Sequence, residues 1–298
     1  MTDKNNPFQY YQEHIEKKAN EKSILKHMAY TVIHDSIGKK KSNKIIKANK
    51  SNNISFLKEN KKFKREQADI VVMIPMFRRH HVIKKVFKSL LNQTLPCKIL
   101  AVVSTTSDKN LCIDENIDYC FANNRPLGNK YLTGLYECKK YNPKAVVILG
   151  SDDLLSKTYI ENAFKSIDNN VGLVGTAKWF IFSSEKEVYL STYTQKSKHK
   201  TVGAGRMYSR TFLDKVRWNI FDPSLNSGLD RKGELMVKKH KYKIIIMKKD
   251  SYVFSMKGNW DMLHSMDDII KYSHLIVLTR MKRGLHLLNK YLGANVWK

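Results

Sequence analysis

The sequence predicts an α/β protein: a mostly parallel, Rossmann-type sheet flanked by helices. Three observations predict it. Short apolar runs of strand length recur in ADIVVMIPMF, CKILAVVST, IDYCFAN and AVVILG. Between them lie segments with apolar residues three and four apart. Each run then ends in a polar, loop-forming stretch: IPMFRR, VVSTTSD, NNRPLGNK and LGSDD. Strands alternating with helices make parallel βαβ units, because a parallel partner needs a crossover long enough to hold a helix. In such sheets ligands gather at the carboxyl ends of the strands. Four polar strand ends on one edge therefore predict a site.

The elements follow in order. Residues 1 to about 35 carry helical spacing, and a basic block follows. From Gly38 to Glu66 it holds eleven Lys and Arg against two Glu. Such a block is an interaction arm or a solvated connection. After the first strand, Val82, Ile83, Val86, Phe87, Leu90 and Leu91 mark one face of a helix. YLTGLYECKKYN predicts the next crossover helix. GLVGTAKWFIF and EVYLSTY read as strands, and QKSKHKTVGAGRMYSRTFLDKV as a loop leading into a helix. RKGELMVKKHK reads as a helix ahead of a further strand. The tail IIKYSHLIVLTRMKRGLHLLNKYLGANVW reads as one or two amphipathic basic helices, fit to lie on a membrane, pack on the sheet or pair with a second copy.

Composition narrows the partners. Over 298 residues, 54 Lys and Arg stand against 27 Asp and Glu, a formal charge of +27. A field of that sign attracts nucleic acid, an anionic membrane face or phosphorylated ligands. A compositional bias toward Lys, Asn and Ile would produce the same excess. The four cysteines show no C-x-x-C spacing, which predicts reduced thiols and no zinc. With no signal pattern and no apolar run of membrane-spanning length, the expectation is a soluble, cytoplasmic chain. Neither G-x-G-x-x-G nor G-x-x-x-x-G-K-[ST] occurs, which disfavours a dinucleotide dehydrogenase or a P-loop ATPase.

Asp152 and Asp153 stand side by side after the fourth strand. Adjacent carboxylates there repel unless donors or a cation hold them. One reading is a cap on a helix beginning near Leu154. The other is a grip on Mn²⁺ or Mg²⁺ and a diphosphate, because hard divalent cations bridge carboxylates to phosphate oxygens.

IPMFRRHHVIKKVFKSLLNQTLPCKILAVVST resembles the opening of the family-2 glycosyltransferases, whose first strand ends in Val-Pro-x-Tyr-Asn-Arg and whose next helix ends in Ser-Leu-Leu-x-Gln-Thr. NNRPLGNKYLTGLYECKKYNPKAVVILGSDDLLSKTYIENAF continues the likeness through an Asn/Gly-rich turn and an Asp-x-Asp strand end. The resemblance runs from about Asp69 to Val253 and implies a GT-A-like fold. It divides the chain into a basic helical N-terminal extension (1–67), a catalytic domain (68–253) and a C-terminal helical segment (254–298).

It further implies that Pro75, Met76 and Arg78 line the base and ribose of a nucleotide-sugar, and that Thr105 stands at the base. Lys130 would sit near base or diphosphate, with Gly128 allowing close approach. Asp152 would contact the metal and Asp153 would add a second acid. Gly150 stands where the family's first Asp usually is. His264 is the C-terminal metal ligand the likeness suggests. Asp230 falls on the base position of an inverting transferase, and a helix cap is its other reading. Arg206 and Arg210, beside exposed glycine backbone, and Trp260, by stacking, are acceptor candidates.

The implied activity is transfer of a sugar from a nucleotide-sugar, UDP-linked, to a hydroxyl on a polyanionic acceptor. The charge favours a hydroxylated base in DNA. A lipid-linked or polysaccharide acceptor at the inner membrane face, reached by peripheral contact, is the second reading. A nucleic-acid-binding protein with a vestigial site is the third.

Overall fold

The computed structural model describes residues 67–183, 188–193, 200–247, 250–257, 276–282, 284–293 and 296. The N-terminal extension and its basic arm therefore lie outside the described residues, as do Trp260 and His264.

Four strands open the described chain: β1 (Ile70–Pro75), β2 (Lys98–Val103), β3 (Asp118–Phe121) and β4 (Ala145–Ile148). They pair in parallel, with β1 between β2 and β4 and β3 outside β2. Helices α1 (His80–Leu91), α2 (Thr106–Asp114) and α3 (Leu127–Cys138) make the crossovers. Alternation along β1 sorts them onto two faces, because successive side chains on a strand point opposite ways. Ile70, Val72 and Ile74 pack in one core with Val82, Ile83, Val86, Phe87 and Leu90 of α1 and Leu111 of α2. Val71 and Met73 pack in the other with Leu132 and Leu135 of α3. Each fully buried side chain of this size contributes roughly 1.5–3 kcal/mol relative to exposure, so the two faces together fix the sheet. None of Cys97, Cys112, Cys120 and Cys138 forms a disulfide. Burial pushes the Cys97 and Cys112 thiols up to about 12.

After β4 the chain forms β5 (Asp153–Leu155), α4 (Tyr159–Lys165), β6 (Val171–Thr176), β7 (Lys178–Ser183) and β8 (Val188–Tyr193). Next come β9 (Arg206–Ser209), α5 (Arg210–Lys215), α6 (Leu229–Lys239), β10 (Lys243–Met247) and β11 (Val253–Lys257). β12 (Ile276–Arg280) and α7 (Gly284–Leu292) end the described elements. The main sheet has the order β10-β6-β9-β4-β1-β2-β3, and β9 runs against its neighbours β4 and β6. A second sheet has the order β12-β8-β7-β11-β5.

Three expectations change here. Asp153–Leu155 is a strand rather than a helix start, and α4 begins only at Tyr159. Arg206–Ser209, read as part of a loop, is a strand inside the main sheet. Its four buried residues are wedged between β4 and β6, and that pairing outweighs the local turn signal. Residues 276–280 of the supposed amphipathic tail form β12 against β8, because the β-branched run finds an unpaired edge. α7 buries Leu288 and Leu292 in the core shared with β1 and α1.

Candidate functional site

The carboxyl end of β1 turns sharply. Met76 N–H still donates to Val102 O, 2.9 Å away, but Arg78 and Arg79 both take left-handed backbone angles, φ 59° and 61°. A non-glycine residue pays roughly 1–2 kcal/mol for this, so surrounding contacts must hold the turn. Arg78 N–H donates to Asp108 Oδ1 at 2.9 Å, and His80 Nε2 lies 2.8 Å from the same oxygen. Thr105 caps α2 by accepting from Asp108 N–H at 3.1 Å. Burial pushes the Asp108 carboxyl up, but the bonds from His80, Thr105 and Arg78 outweigh it and hold it below its ordinary range. Asp108 Oδ2 is buried without a hydrogen-bond partner.

Lys130 lies behind this turn with 0% exposure. Its Nζ donates to Met76 O at 2.5 Å, Ser104 Oγ at 2.8 Å and Asn124 Oδ1 at 3.1 Å. One ammonium thus ties together the ends of β1, β2 and β3. Burial lowers it to about 8, against the pull of Asp108. A lysine lowered on folding binds fewer protons in the native than in the unfolded state between those two values, so stability rises with pH there. Urea unfolding at about pH 7.5 and about pH 9.5 should show a gain of ~2 kcal/mol that Lys130→Met lacks.

Past β4, Asp152 and Asp153 are buried. β11 pairs Ser255 with Asp153 in register, and Met256 N–H donates to Asp152 O at 2.8 Å. Residues two apart on a strand share a face, and β11 uses this twice. The Ser255 hydroxyl donates to Asp153 Oδ1. Lys257 Nζ donates to Asp152 Oδ2 at 2.5 Å, while Arg79 reaches Asp152 Oδ1 at 3.4 Å. Burial pushes the Asp152 carboxyl up, but Lys257 and then Arg79 hold it below the usual carboxylate range. The helix-cap reading of Asp152 and Asp153 is thereby removed. Asp153 Oδ2 lies inside the space a Cβ at Gly150 would need. Gly150→Ala should therefore cost about 1–3 kcal/mol by chemical denaturation, the range for forced overpacking.

The opposite wall is α6. Gly228 occupies the cap position with φ 71°, so Asp230 stands in the first turn and is not the cap. Its carboxylate lies over Gly203, where a Cβ would collide with it. Arg206 anchors the helix start by donating to Asp230 O, and also to Val202 O at 2.9 Å and Thr201 O at 2.8 Å. Arg206 Nη2 pairs with Glu234 Oε1 at 2.8 Å, with side-chain exposures of 1% and 3%. Glu234 Oε1 also accepts from Thr201 N–H at 3.0 Å and Thr201 Oγ1 at 3.1 Å. Tyr131 of α3 links the walls: its phenol is pushed up by burial first, then by Asp230, Asp153 and Asp152. The Tyr131 ring packs edge-on against Phe221, with centroids 5.2 Å apart.

The structure brings Pro75, Met76, Arg78, Thr105, Lys130, Asp152 and Asp153 to one sheet edge, and sets Asp230 in the first turn of α6, over Gly203. Two candidates take other roles. Arg206 is consumed inside the fold and positions α6. Gly128 is needed because its Cβ would strike Asp222 O, and its N–H donates to Leu225 O at 2.7 Å, so it seats α3 on a turn rather than opening a ligand path. Arg210 lies elsewhere, past the far end of β9, where its N–H donates to Lys144 O and its side chain pairs with Asp214. It lines a cleft of about 790 Å³ with Asp69, Asn142, Lys144 and Asp168, at the amino-terminal edge of the sheet. None of the strand-end residues above borders that cleft. Arg79, Lys257, Ser255, Asp108 and Tyr131 join the site without having been singled out in the sequence. Asp108 carried a signal, standing in the first turn of the helix after β2. Lys257 carried none, because its partner is 105 residues away.

The residues test poorly as a metal site. Among the described residues no cluster of three or more His, Cys, Asp and Glu is placed to hold an ion. Both Asp152 oxygens already face cations. Asp152 and Asp153 as placed here do not fit a divalent cation, and His264 lies outside the described residues.

No known family profile matches the chain, and no curated protein matches it. Solved structures do. S. aureus TarS (residues 1–349) is 17% identical, over 63% of this chain and 60% of that one, at a TM-score of 0.49. The mannosyltransferase PcManGT from Pyrobaculum calidifontis, in complex with GDP-Man and Mn²⁺, is 14% identical over 68% and 62%, at 0.47. A 4-diphosphocytidyl-2C-methyl-D-erythritol synthase is 11% identical over 70% and 98%, at 0.43. The chain thus spans about three fifths of the TarS fragment and of the mannosyltransferase.

Proposed function

We propose that the chain is a glycosyltransferase that moves a sugar from a UDP-linked donor to a hydroxyl on a polyanionic acceptor, a hydroxylated base in DNA. The observation that carries the reading is the buried pair Asp152 and Asp153 beyond the carboxyl end of β4, together with Asp230 in the first turn of α6 with its carboxylate over Gly203. Polar strand ends that can hold a donor, and an exposed carboxylate that can take the acceptor proton, are what an inverting transfer needs. The sequence resemblance over 69–253 points the same way.

In this reading Lys130, Ser104 and Asn124 fix the floor on which the nucleotide rests. Asp230 takes the proton of the acceptor hydroxyl as its oxygen attacks the anomeric carbon. The bond from that carbon to the diphosphate oxygen breaks, and the nucleoside diphosphate leaves with the electron pair. Attack from the side opposite the leaving group inverts the configuration. Arg206 and Glu234 hold the helix that aims Asp230.

The acceptor follows from charge. Lys232, Lys238, Lys239, Lys241 and Lys243 are exposed on and just beyond the helix that carries Asp230, and the whole chain is +27. A base in a duplex must leave the stack to reach a carboxylate, so the acceptor is flipped or single-stranded. A membrane reading rested on the C-terminal helices, and α7 turns Leu288 and Leu292 inward. Among the described residues no helix is long and apolar enough to cross a membrane.

The test is nucleotide release from a panel of UDP- and GDP-sugars, with and without hydroxymethylated DNA. DNA-stimulated release supports donor and acceptor together. Release indifferent to DNA removes the acceptor assignment, and no release removes the enzyme.

A further inference from the structure

A nucleotide-sugar brings a doubly charged diphosphate to the sheet edge, and something must neutralise it. The family resemblance assigns that task to a divalent cation on an Asp-x-Asp pair. Here position 150 has no carboxylate, and Asp153 is turned into the gap with one oxygen on the Ser255 hydroxyl. Asp152 has one oxygen on Lys257 at 2.5 Å and the other facing Arg79 at 3.4 Å. A divalent ion at Asp152 would sit against two positive side chains. At an effective dielectric near 20, each such contact at about 4 Å costs several kcal/mol. The same two side chains attract a dianion once they are drawn off the Asp152 carboxylate, which otherwise opposes it.

We propose that Arg79 and Lys257 neutralise the donor diphosphate, moving from Asp152 onto the phosphate oxygens, so that donor binding requires no divalent cation. The inference rests on the glycosyltransferase reading and replaces the metal that reading was expected to need. Geometry favours the exchange. Arg79 is delivered by the left-handed turn at the end of β1, and Lys257 by the strand that pairs with β5. Both belong to fixed elements on either side of Asp152, and a guanidinium and an ammonium together suit the oxygens of a diphosphate. α1 begins directly after Arg79 with no acidic residue in its first turn and no side-chain cap, so its end of the dipole adds to the same field. In the empty protein Asp152 holds the two cations in place.

The experiment is calorimetric titration of the full chain with UDP and with GDP, in EDTA and in excess Mn²⁺. The expected dissociation constants agree within about twofold between the two conditions. Lys257→Met and Arg79→Met should each weaken binding about tenfold, and Lys257→Arg should restore most of it. Asp152→Asn should change binding by the same factor in EDTA and in Mn²⁺, since Asp152 positions the two cations and holds no metal. A metal-ligand role predicts a loss in Mn²⁺ alone. Binding that appears only with Mn²⁺, or is lost in Asp152→Asn while Lys257→Met keeps it, overturns the inference and leaves the transferase reading standing. Failure of either nucleotide to bind in both conditions overturns the transferase reading, and the inference with it. Thermal melting of each variant separates lost binding from lost folding.

Discussion

Asp230→Asn is expected to lower sugar transfer by about 10²–10⁴, the range for removing a positioned general base, with nucleotide affinity and melting temperature unchanged. The isolation of the effect follows from where the residue sits. Asp230 is exposed, it does not cap its helix, and its anchoring contact to Arg206 uses the backbone carbonyl, which Asn keeps. Parallel measurement of turnover with saturating donor and of UDP affinity checks this. A fall in affinity equal to the fall in turnover would place Asp230 in donor binding. Unchanged turnover would remove it from the reaction.

Glu234→Ala is expected to have the largest effect on stability, about 3–5 kcal/mol, because it removes the carboxylate that ion-pairs with the buried Arg206. The loss spreads beyond one ion pair. Glu234 also accepts from Lys200 N–H at 3.2 Å and from Thr201, so the 200–202 segment loses its tether. Arg206→Met in the same chain should recover part of the loss, since replacing both charges avoids an unpaired one. Urea unfolding of the two single variants and the double variant measures the coupling. If the Glu234→Ala loss is below about 1 kcal/mol, the pair is not the anchor of α6. Transfer by the double variant should fall further than its stability alone requires, because the helix start bearing Asp230 is no longer held by its carbonyl.

Much of the fold was legible in the residues. The four parallel strands and the helix after β1 were legible because burial on both faces forces continuous apolar runs in strands and a 3.6-residue stripe in helices. The position of Asp152 and Asp153 at the carboxyl edge of the sheet was legible, because they follow the apolar run of β4. β9 was not. RMYS carries a buried arginine where a strand reading wants an apolar residue, and only Glu234, 28 residues on, makes that burial tolerable. β12 was not legible either, since a short apolar run fits helix or strand until an edge offers it partners.

The sequence by itself determined the α/β class, the edge at which the site forms, and the excess positive charge, because these depend on local periodicity and composition. The tertiary structure alone decided what the carboxylates do. Whether Asp152 faces a metal or two cations depends on Lys257 and Arg79, which meet it across 105 and 73 residues of chain. Whether Gly150 leaves a gap or makes room depends on the direction of Asp153. An electrostatic site is a sum over neighbours in space, and strand pairing, which brings β11 beside β5, sets who those neighbours are.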